Sequence, residues 1–128
     1  MNKVKRAIIS SAVDAMQVTE VDKVTRHYCF SLDFIGFSGH FPGYPILPAF
    51  VQVLTALSLA EEKKGGTLKL ATVENAKFLI PLRPCQKIKF QCQERLIGGK
   101  PGCEVRITLV EELAASFQLT FEERDNEI

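Results

Sequence analysis

Residues 39–49 read GHFPGYPILPA, and this stretch separates two different kinds of sequence pattern. Three prolines and two glycines within eleven residues exclude a regular helix or strand. The residues that follow read as one long helix, so this stretch, the histidine loop, is predicted to be a rigid connection that ends at a helix N-terminus. It contains His40, one of the two histidines in the chain.

The long helix is predicted from about Leu47 to Lys64. Pro48 fits its first turn, where the missing N–H would be unpaired anyway, and Gly65-Gly66 suit a left-handed cap at its end. Apolar side chains surround the helix axis almost completely, which is typical of a buried helix.

Three polar residues inside this helix recur at every third position and form one narrow stripe: Gln52, Thr55 and Ser58. Two interpretations stay open. The stripe faces a cavity, or Thr55 and Ser58 bond back to the preceding turn while Gln52 caps a nearby strand.

The second half of the chain alternates apolar and polar residues with period two, which predicts half-buried antiparallel strands. Strands are expected around residues 87–93, 103–109 and 115–122, with short connections at 98–102 and 111–112. Further strands are expected at 68–80, at 26–32 and at 6–20. One buried helix with five or six strands predicts an α+β domain over residues 1–128, with the sheet wrapped around one long central helix.

The composition fits one domain with a single core: 128 residues, of which 46% are hydrophobic and 24% charged. Basic and acidic residues nearly cancel, at 16 and 15, so the overall charge does not call for nucleic acid or an anionic membrane. The signs are unevenly spread, however: residues 61–100 have a net charge of +5, and residues 101–128 one of −5. These are solvated strand faces, or the basic part receives an acidic protein partner.

The four cysteines have no C-x-x-C spacing, and we expect all of them to be buried, reduced thiols. Ser10, Ser11 and Asp14 interrupt the short apolar run near the N-terminus too early for a signal peptide. No stretch approaches the roughly 18 apolar residues of a membrane span, so a cytoplasmic protein is expected.

The histidine loop as a whole resembles the H-F-P-G-x-P-x-x-P-G signature of bacterial 3-hydroxyacyl-acyl carrier protein dehydratases, which act in fatty acid synthesis and have relatives in polyene synthesis. The resemblance extends over nearly all of the chain and implies the hotdog fold. It also implies a homodimer or a higher even oligomer, acyl carrier protein as the bearer of the substrate, and neither a metal nor a redox cofactor.

The same resemblance implies roles for individual residues. His40 would remove the α-proton of a 3-hydroxyacyl thioester, and the backbone N–H of Ala49, where the family usually has glycine, would hold the thioester oxygen. Gly43 would let the loop turn beside the substrate. The other histidine, His27, lies on a predicted strand and is expected to be structural.

One residue departs from the family pattern. The carboxylate that protonates the departing hydroxyl should lie fourteen positions after the histidine, on the helix of the other subunit, and that position is Leu54. Three outcomes are open. His40 carries out a slower one-base elimination; Gln52, Thr55 or Asp33 supplies the proton through a water; or the chain is an inactive acyl-binding or partner subunit.

The leading hypothesis is therefore a dehydratase that acts on acyl thioesters linked to acyl carrier protein. The second hypothesis is a catalytically weak partner subunit, for which Leu54 is the main argument. A thioesterase on the same fold is the third, and it would need a carboxylate or a bound water directed at the carbonyl carbon.

Overall fold

The computed structural model describes residues 2–37 and 43–123, so His40 lies outside the described residues. The elements are two α-helices, one 3₁₀ turn and six strands. In chain order they are α1 (Lys3–Ser10), β1 (Gln17–Glu20), β2 (Lys23–Cys29), the 3₁₀ turn (Ile35–Phe37), α2 (Ala49–Lys64), β3 (Leu70–Phe78), β4 (Lys87–Ile97), β5 (Lys100–Leu109) and β6 (Glu112–Phe121). The predicted α+β class is confirmed.

The six strands form one antiparallel sheet in the order β1-β2-β4-β5-β6-β3. The predicted hairpins β4–β5 and β5–β6 are both present. The predicted connection at residues 98–102 is shorter in the structure, because Gly98 and Gly99 alone form the turn, with φ of 58° and 82°. Glycine takes up such left-handed angles without strain, and they match the twist of a two-residue hairpin.

One face of the sheet carries the core. The inward side chains of the central strands are fully buried, as Phe90 and Ile107 illustrate, and α2 packs on this face with the Ala56 carbonyl 3.6 Å from the Cys92 thiol sulfur. The opposite face carries the polar partners in the alternation, among them Lys89 and Thr108, which lie side by side across β4 and β5. The alternation with period two therefore identified the inner face of this region correctly.

The strand expected over residues 6–20 is confirmed only in its last part, as β1, and was wrong in its first part, because α1 occupies it. Asn2 caps this helix, its Oδ1 accepting the Lys5 backbone N–H at 2.7 Å. Val4 and Ala7 pack against the core beside Ile8, which is fully buried. This spacing is helical, and only the short strand β1 follows it.

Helix α2 begins two residues later than expected, with Pro48 as its N-cap, and the left-handed cap at Gly65 is confirmed. The expectation of burial all round was wrong for the single chain. Only one side of α2 is buried, while Leu54 and Leu57 on the other side are partly exposed.

The expectation for the cysteines holds in part. All four are free thiols, and Cys92 and Cys103 are buried. The hydrogen bond with Cys103, together with burial, raises the pKa of the Cys92 thiol. Cys85 is exposed, contrary to expectation, because it lies in a turn with a left-handed φ of 67° instead of in a strand.

No helix within residues 2–37 and 43–123 has the length and hydropathy of a membrane span.

Candidate active site

The described end of the histidine loop runs directly into α2. Gly43 adopts a φ of 85°, an angle that favours glycine because it has no Cβ. Leu47 is buried, and Pro48 accepts the backbone N–H groups of Val51 and Gln52 at 3.0 and 3.1 Å, which opens the first helical turn. The described end of the loop is therefore continuous with the first turn of the helix.

Ala49 is the first residue of α2 and is exposed. The N–H groups of the first helical turn have no partner inside the helix, and in the described part of the chain the Ala49 N–H has no hydrogen-bond acceptor. An unpaired N–H at the positive end of a helix suits an oxygen that gains negative charge. The geometry of Ala49 is thus compatible with the oxyanion role that the sequence predicts.

Residues 82–85 contact the chain both before and after residues 38–42, the segment that contains His40. On the upstream side, the Cys85 N–H donates to the Phe30 carbonyl at 2.7 Å. On the downstream side, the Leu47 N–H donates to the Leu82 carbonyl, also at 2.7 Å, and the Arg83 guanidinium stacks 3.6 Å above the Tyr44 ring. These three contacts hold the described chain before and after residues 38–42 to the same short segment.

Neither Arg83 nor Tyr44 was singled out from the sequence. Each is ordinary in its local pattern, and the two are far apart along the chain, so only the tertiary structure brings them together. The Arg83 backbone N–H donates to Gln86 Oε1 at 2.8 Å, which holds the turn that presents this arginine.

The upstream flank is an aromatic cluster in the core. Phe30 and Phe34 lie with their ring centroids 4.7 Å apart, and Phe34 contacts Phe37 edge to face at 5.7 Å. Phe37 is the last described residue before the histidine loop and is buried. Phe37 and Leu47 are therefore the buried residues that anchor the described chain before and after residues 38–42.

The polar stripe of α2 faces the sheet and is buried. The Thr55 hydroxyl donates to the Val51 carbonyl at 2.8 Å, as the second interpretation of the stripe expected. Gln52 Nε2 donates to the Leu47 carbonyl at 3.1 Å, so it holds the segment before its own helix and caps no strand. Within the described residues, Gln52 Oε1 and the Ser58 hydroxyl have no partner.

Leu54 lies on the opposite side of α2, partly exposed. The carboxylates of this helix, Glu61 and Glu62, are at its C-terminal end and pair with Lys5 and Arg26. Eight residues of helix separate Leu54 from Glu62, about 12 Å. Neither glutamate can therefore take the place of a carboxylate at position 54 of the same chain.

The two remaining polar candidates are engaged elsewhere. Asp33 is exposed and accepts a hydrogen bond from the Ser31 hydroxyl. His27 lies in β2, and its Nδ1 is 2.7 Å from Asp14 Oδ2, while its backbone N–H donates to Asp14 Oδ1 at 2.9 Å. Desolvation opposes ionisation of Asp14, but these hydrogen bonds from His27 outweigh it and lower the pKa of the carboxyl.

Comparison with known proteins places this geometry in a family. A family model described as ApeI-like, ApeI dehydratase, matches residues 16–100. The chain belongs to the ApeI-like dehydratase family. Among curated proteins, it is similar to the 3-hydroxyacyl-[acyl-carrier-protein] dehydratase FabZ of Lactobacillus helveticus, with 31% identity over 85% of this chain and 78% of that protein. The FabZ of Lactiplantibacillus plantarum is 29% identical over 77% of this chain and 79% of the relative.

Solved structures show the same fold. A chain of the dehydratase heterocomplex ApeI:P from Xenorhabdus doucetiae superposes with a TM-score of 0.76 at 18% identity, covering 88% of this chain and 96% of that one. The Escherichia coli PaaI protein superposes with a TM-score of 0.66 at 13% identity, over 93% and 89% of the two chains. The dehydratase therefore has the hotdog fold, as predicted, and it is a dehydratase-type lyase.

Proposed function

We propose that this dehydratase removes water from 3-hydroxyacyl thioesters bound to acyl carrier protein and releases trans-2-enoyl thioesters. His40 takes the proton from C2, the hydroxyl leaves C3 as water once protonated, and the C2–C3 double bond forms. The thioester oxygen gains charge as the C2 proton leaves, and the Ala49 N–H stabilises it.

The observation that carries this proposal is the N–H of Ala49 at the start of α2, nine positions after His40, which has no acceptor among residues 2–37 and 43–123. The described chain on both sides of residues 38–42 is held by residues 82–85, which supports a fixed position for the oxyanion donor. Fixed geometry of this kind contributes strongly to rate, because a misplacement of about 1 Å costs on the order of a hundredfold.

The proton for the departing hydroxyl has one favoured source. The Thr55 hydroxyl and the Gln52 amide each donate to a backbone carbonyl, and Leu54 cannot donate a proton. We therefore propose that His40 passes the proton it has taken from C2 to the C3 hydroxyl. A missing general acid costs roughly 10²–10⁴-fold in rate, so turnover is expected to be slow and still measurable.

We also propose that two copies pair along β3. This strand is one edge of the sheet, and eight of its nine residues are exposed. Val73 and Phe78 are exposed by 41% and 45%, and Leu79 just beyond the strand by 57%. A long, exposed edge with large apolar side chains is a template for pairing with a second strand, so a homodimer or a higher even oligomer is expected.

The proposal is tested by supplying purified protein with 3-hydroxyacyl and trans-2-enoyl thioesters of the same chain length. Interconversion is expected, and His40→Ala should abolish it while leaving the circular dichroism spectrum unchanged. His27→Ala is the matched control, because His27 is bound to Asp14 and should contribute nothing to turnover. Turnover that survives His40→Ala would remove His40 as the base.

The assembly is tested by Val73→Lys, with molar mass measured by light scattering during size exclusion. A lysine on the β3 edge should convert the dimer to monomer. Val18→Lys is the control, since Val18 is also exposed, at 55% against 41% for Val73, on the β1 edge. A dimer that persists in Val73→Lys but dissociates in Val18→Lys would assign the interface to the other edge.

A second candidate function is a partner subunit that binds acyl chains or pairs with an active homologue. Leu54 is the observation that favours it, because an apolar side chain replaces the family's acid. A preparation that shows no turnover alone but raises the activity of an active homologue would support this alternative. A thioesterase would need a carboxylate near the thioester carbonyl, and Leu54 does not supply one.

The pathway and the location stay predictions from the sequence. Fatty acid or polyene synthesis and a cytoplasmic location are expected for an enzyme of this type. Elimination of water is acid–base chemistry without a change in oxidation state, so no redox cofactor is expected.

A further inference from the structure

Gln52 is a buried polar side chain to which the proposed elimination gives no role. It lies near the start of α2, on the side that faces the sheet, and is only 5% exposed. Its Nε2 donates to the Leu47 carbonyl at 3.1 Å, whereas its buried Oε1 has no partner within residues 2–37 and 43–123. One half of the amide is therefore satisfied and the other half is not.

The unpaired Oε1 shows that this amide is not there to stabilise the core. A buried oxygen without a hydrogen bond has given up its water and received nothing in exchange, which lowers stability. An apolar side chain of similar length would fill the same space without that cost. Polar groups that break this rule are typical of functional positions. Gln52 therefore calls for a role in the site.

Three consecutive peptide units lead into α2, and a hydrogen bond holds each of them. The Leu47 N–H donates to the Leu82 carbonyl at 2.7 Å, and the Leu47 carbonyl accepts from Gln52 Nε2. The Pro48 carbonyl accepts the backbone N–H groups of Val51 and Gln52 at 3.0 and 3.1 Å. Leu47 and Leu82 are both buried, so the first two of these bonds lie away from solvent.

Of these bonds, only the one from Gln52 Nε2 depends on the identity of a side chain. The others join backbone groups and would form with almost any residue in place. Proline has no N–H, so the peptide unit between Leu47 and Pro48 can be held by a hydrogen bond only through the Leu47 carbonyl. Pro48, the N-cap, has no side-chain hydrogen bond to the helix. The Gln52 amide thus secures the unit directly before the N-cap.

The direction of the Ala49 N–H depends on this unit. In a trans peptide the N–H points away from the carbonyl of the same plane, so the Pro48 carbonyl, bound inside the helix, directs the Ala49 N–H out of the N-terminus. The proline ring fixes φ, here −63°, which leaves ψ of Pro48, 152°, as the torsion between this plane and the one before it. Movement of the Leu47 carbonyl is therefore transmitted to the Ala49 N–H.

We propose that Gln52 is a positioning residue for the elimination: its amide holds the Leu47 carbonyl and thereby keeps the Ala49 N–H directed at the thioester oxygen. This inference rests on the proposed function, in which that N–H stabilises the charge on the oxygen. Gln52 acts through the backbone and does not touch the substrate. A donor that is already in place stabilises charge as it develops, so loosening the donor lowers kcat and hardly changes ground-state binding.

Gln52→Met tests the proposal, because methionine keeps the length of glutamine and lacks the N–H donor. With a 3-hydroxyacyl thioester, kcat should fall about tenfold or more, while KM stays within about twofold. The melting temperature should change by less than about 5 °C, since removal of the unpaired Oε1 offsets the lost hydrogen bond to Leu47. A glutamine with a merely structural role would not give this loss of kcat at unchanged stability.

Gln52→Glu adds a pH profile to the test. A protonated carboxyl can donate to the Leu47 carbonyl, whereas an ionised one cannot. Burial favours the protonated form, so the ratio of kcat in the variant to kcat in the unaltered protein should rise several-fold as the pH falls from about 8 to about 5.5. The titration of His40 is common to both proteins and cancels in this ratio. A ratio that stays constant while both proteins remain folded by circular dichroism would contradict the proposal.

Ser58→Ala is the matched control. Ser58 lies on the same buried side of α2, six residues or about 9 Å further along, and its hydroxyl also lacks a partner in the described part of the chain. The variant should leave kcat and KM within about twofold of the unaltered protein. An equal loss of kcat in Ser58→Ala would mean that any change in the buried stripe has this effect and would overturn the proposal.

Amide hydrogen exchange followed by NMR needs no substrate and separates the two proposals. The Leu47 N–H should exchange about tenfold faster in Gln52→Met, while N–H groups in the middle of α2 keep their rates. Normal kcat in Gln52→Met would overturn the positioning role and leave the dehydratase function standing. No turnover by the unaltered protein would count against the elimination. In that case, faster Leu47 exchange in Gln52→Met would still support the contact with Gln52, and unchanged exchange would overturn it.

Discussion

The two sides of helix α2 do not divide polar and apolar residues in the usual way, because the buried side mixes apolar residues such as Leu59 with polar ones. The side that faces the sheet is buried and contains the three polar residues Gln52, Thr55 and Ser58. The side that faces away contains Val53, Leu54 and Leu57, which remain partly exposed. In an ordinary surface helix the apolar residues face the core and the polar ones face water.

The difference shows on which side of α2 the single chain satisfies the hydrogen bonds and the burial of the side chains by itself. Gln52 and Thr55 can be buried because backbone carbonyls accept their hydrogen bonds. The outer side is completed only in part, since Val53, Leu54 and Leu57 pack against the core but stay partly exposed, and apolar groups gain by leaving water. A second copy or the acyl chain of the substrate would cover it, in agreement with the proposed dimer and the proposed substrate.

The strongest test of the difference between the two sides is to truncate one leucine on each side and compare the loss of stability. Leu59→Ala, on the inner side and fully buried, should lower the free energy of unfolding by about 2–5 kcal/mol. Leu57→Ala, on the outer side, should cost about 1 kcal/mol or less in dilute monomer and more as protein concentration rises. Urea unfolding at two protein concentrations measures both. Equal costs that do not depend on concentration would show that the two sides are equivalent.

Placing an acid on the outer side is expected to change activity more than stability. Leu54→Glu restores a carboxylate at the family's position, so the rate of a slow dehydratase should rise, by about a hundredfold at most if half of the lost acid assistance returns. Leu57→Glu is the control, with the same charge one turn further along the same side, and should give no increase. If Leu54→Glu instead weakens acyl binding without any gain in rate, the chain is a binding subunit.

The hydrogen bond of Thr55 allows the contribution of a buried polar residue on the inner side to be measured. Thr55→Val keeps the shape but removes the donor to the Val51 carbonyl, so unfolding free energy should fall by about 1 kcal/mol. Thermal unfolding followed by circular dichroism gives the value. No change would mean that the buried polar stripe has no role in stability.

The smallest effect is expected at Ser58, whose buried hydroxyl has no partner among the described residues. Ser58→Ala removes an unsatisfied group and should change the unfolding free energy by about 1 kcal/mol or less, in the stabilising direction. A clear destabilisation, measured in parallel with Thr55→Val, would indicate that the hydroxyl has a bound water or a partner in the assembled protein.

Strands β4, β5 and β6 were predictable because each alternates over its own length, and the end of α2 was predictable because Gly65 is a local signal. The strand expected at residues 6–20 was wrong in its first part, since Val4, Ala7 and Ile8 fit a helical turn that packs on the core. A short apolar run does not reveal whether it has the period of a helix or of a strand. The left-handed turn at Cys85 also escaped prediction, because no glycine marks it.

The residues of the candidate site were predictable only where they belong to one continuous segment of the sequence. GHFPGYPILPA identified His40, Gly43 and Ala49 as candidate site residues, and their roles as base, loop turn and oxyanion donor remain proposals. The stack of Arg83 on Tyr44 and the row formed by His27 and Lys89 could not be inferred, because residues distant in sequence become neighbours only through strand register and loop packing.

By itself, the sequence determined the kinds of elements, the family motif and the absence of the usual acid at Leu54, because each of these is written in neighbouring residues. The tertiary structure alone decided which side of α2 is buried, what secures the chain around residues 38–42 and which residues of β2 and β4 lie side by side. The physical reason is that periodicity encodes the shape of one segment, whereas burial and charge pairing depend on which segments pack together.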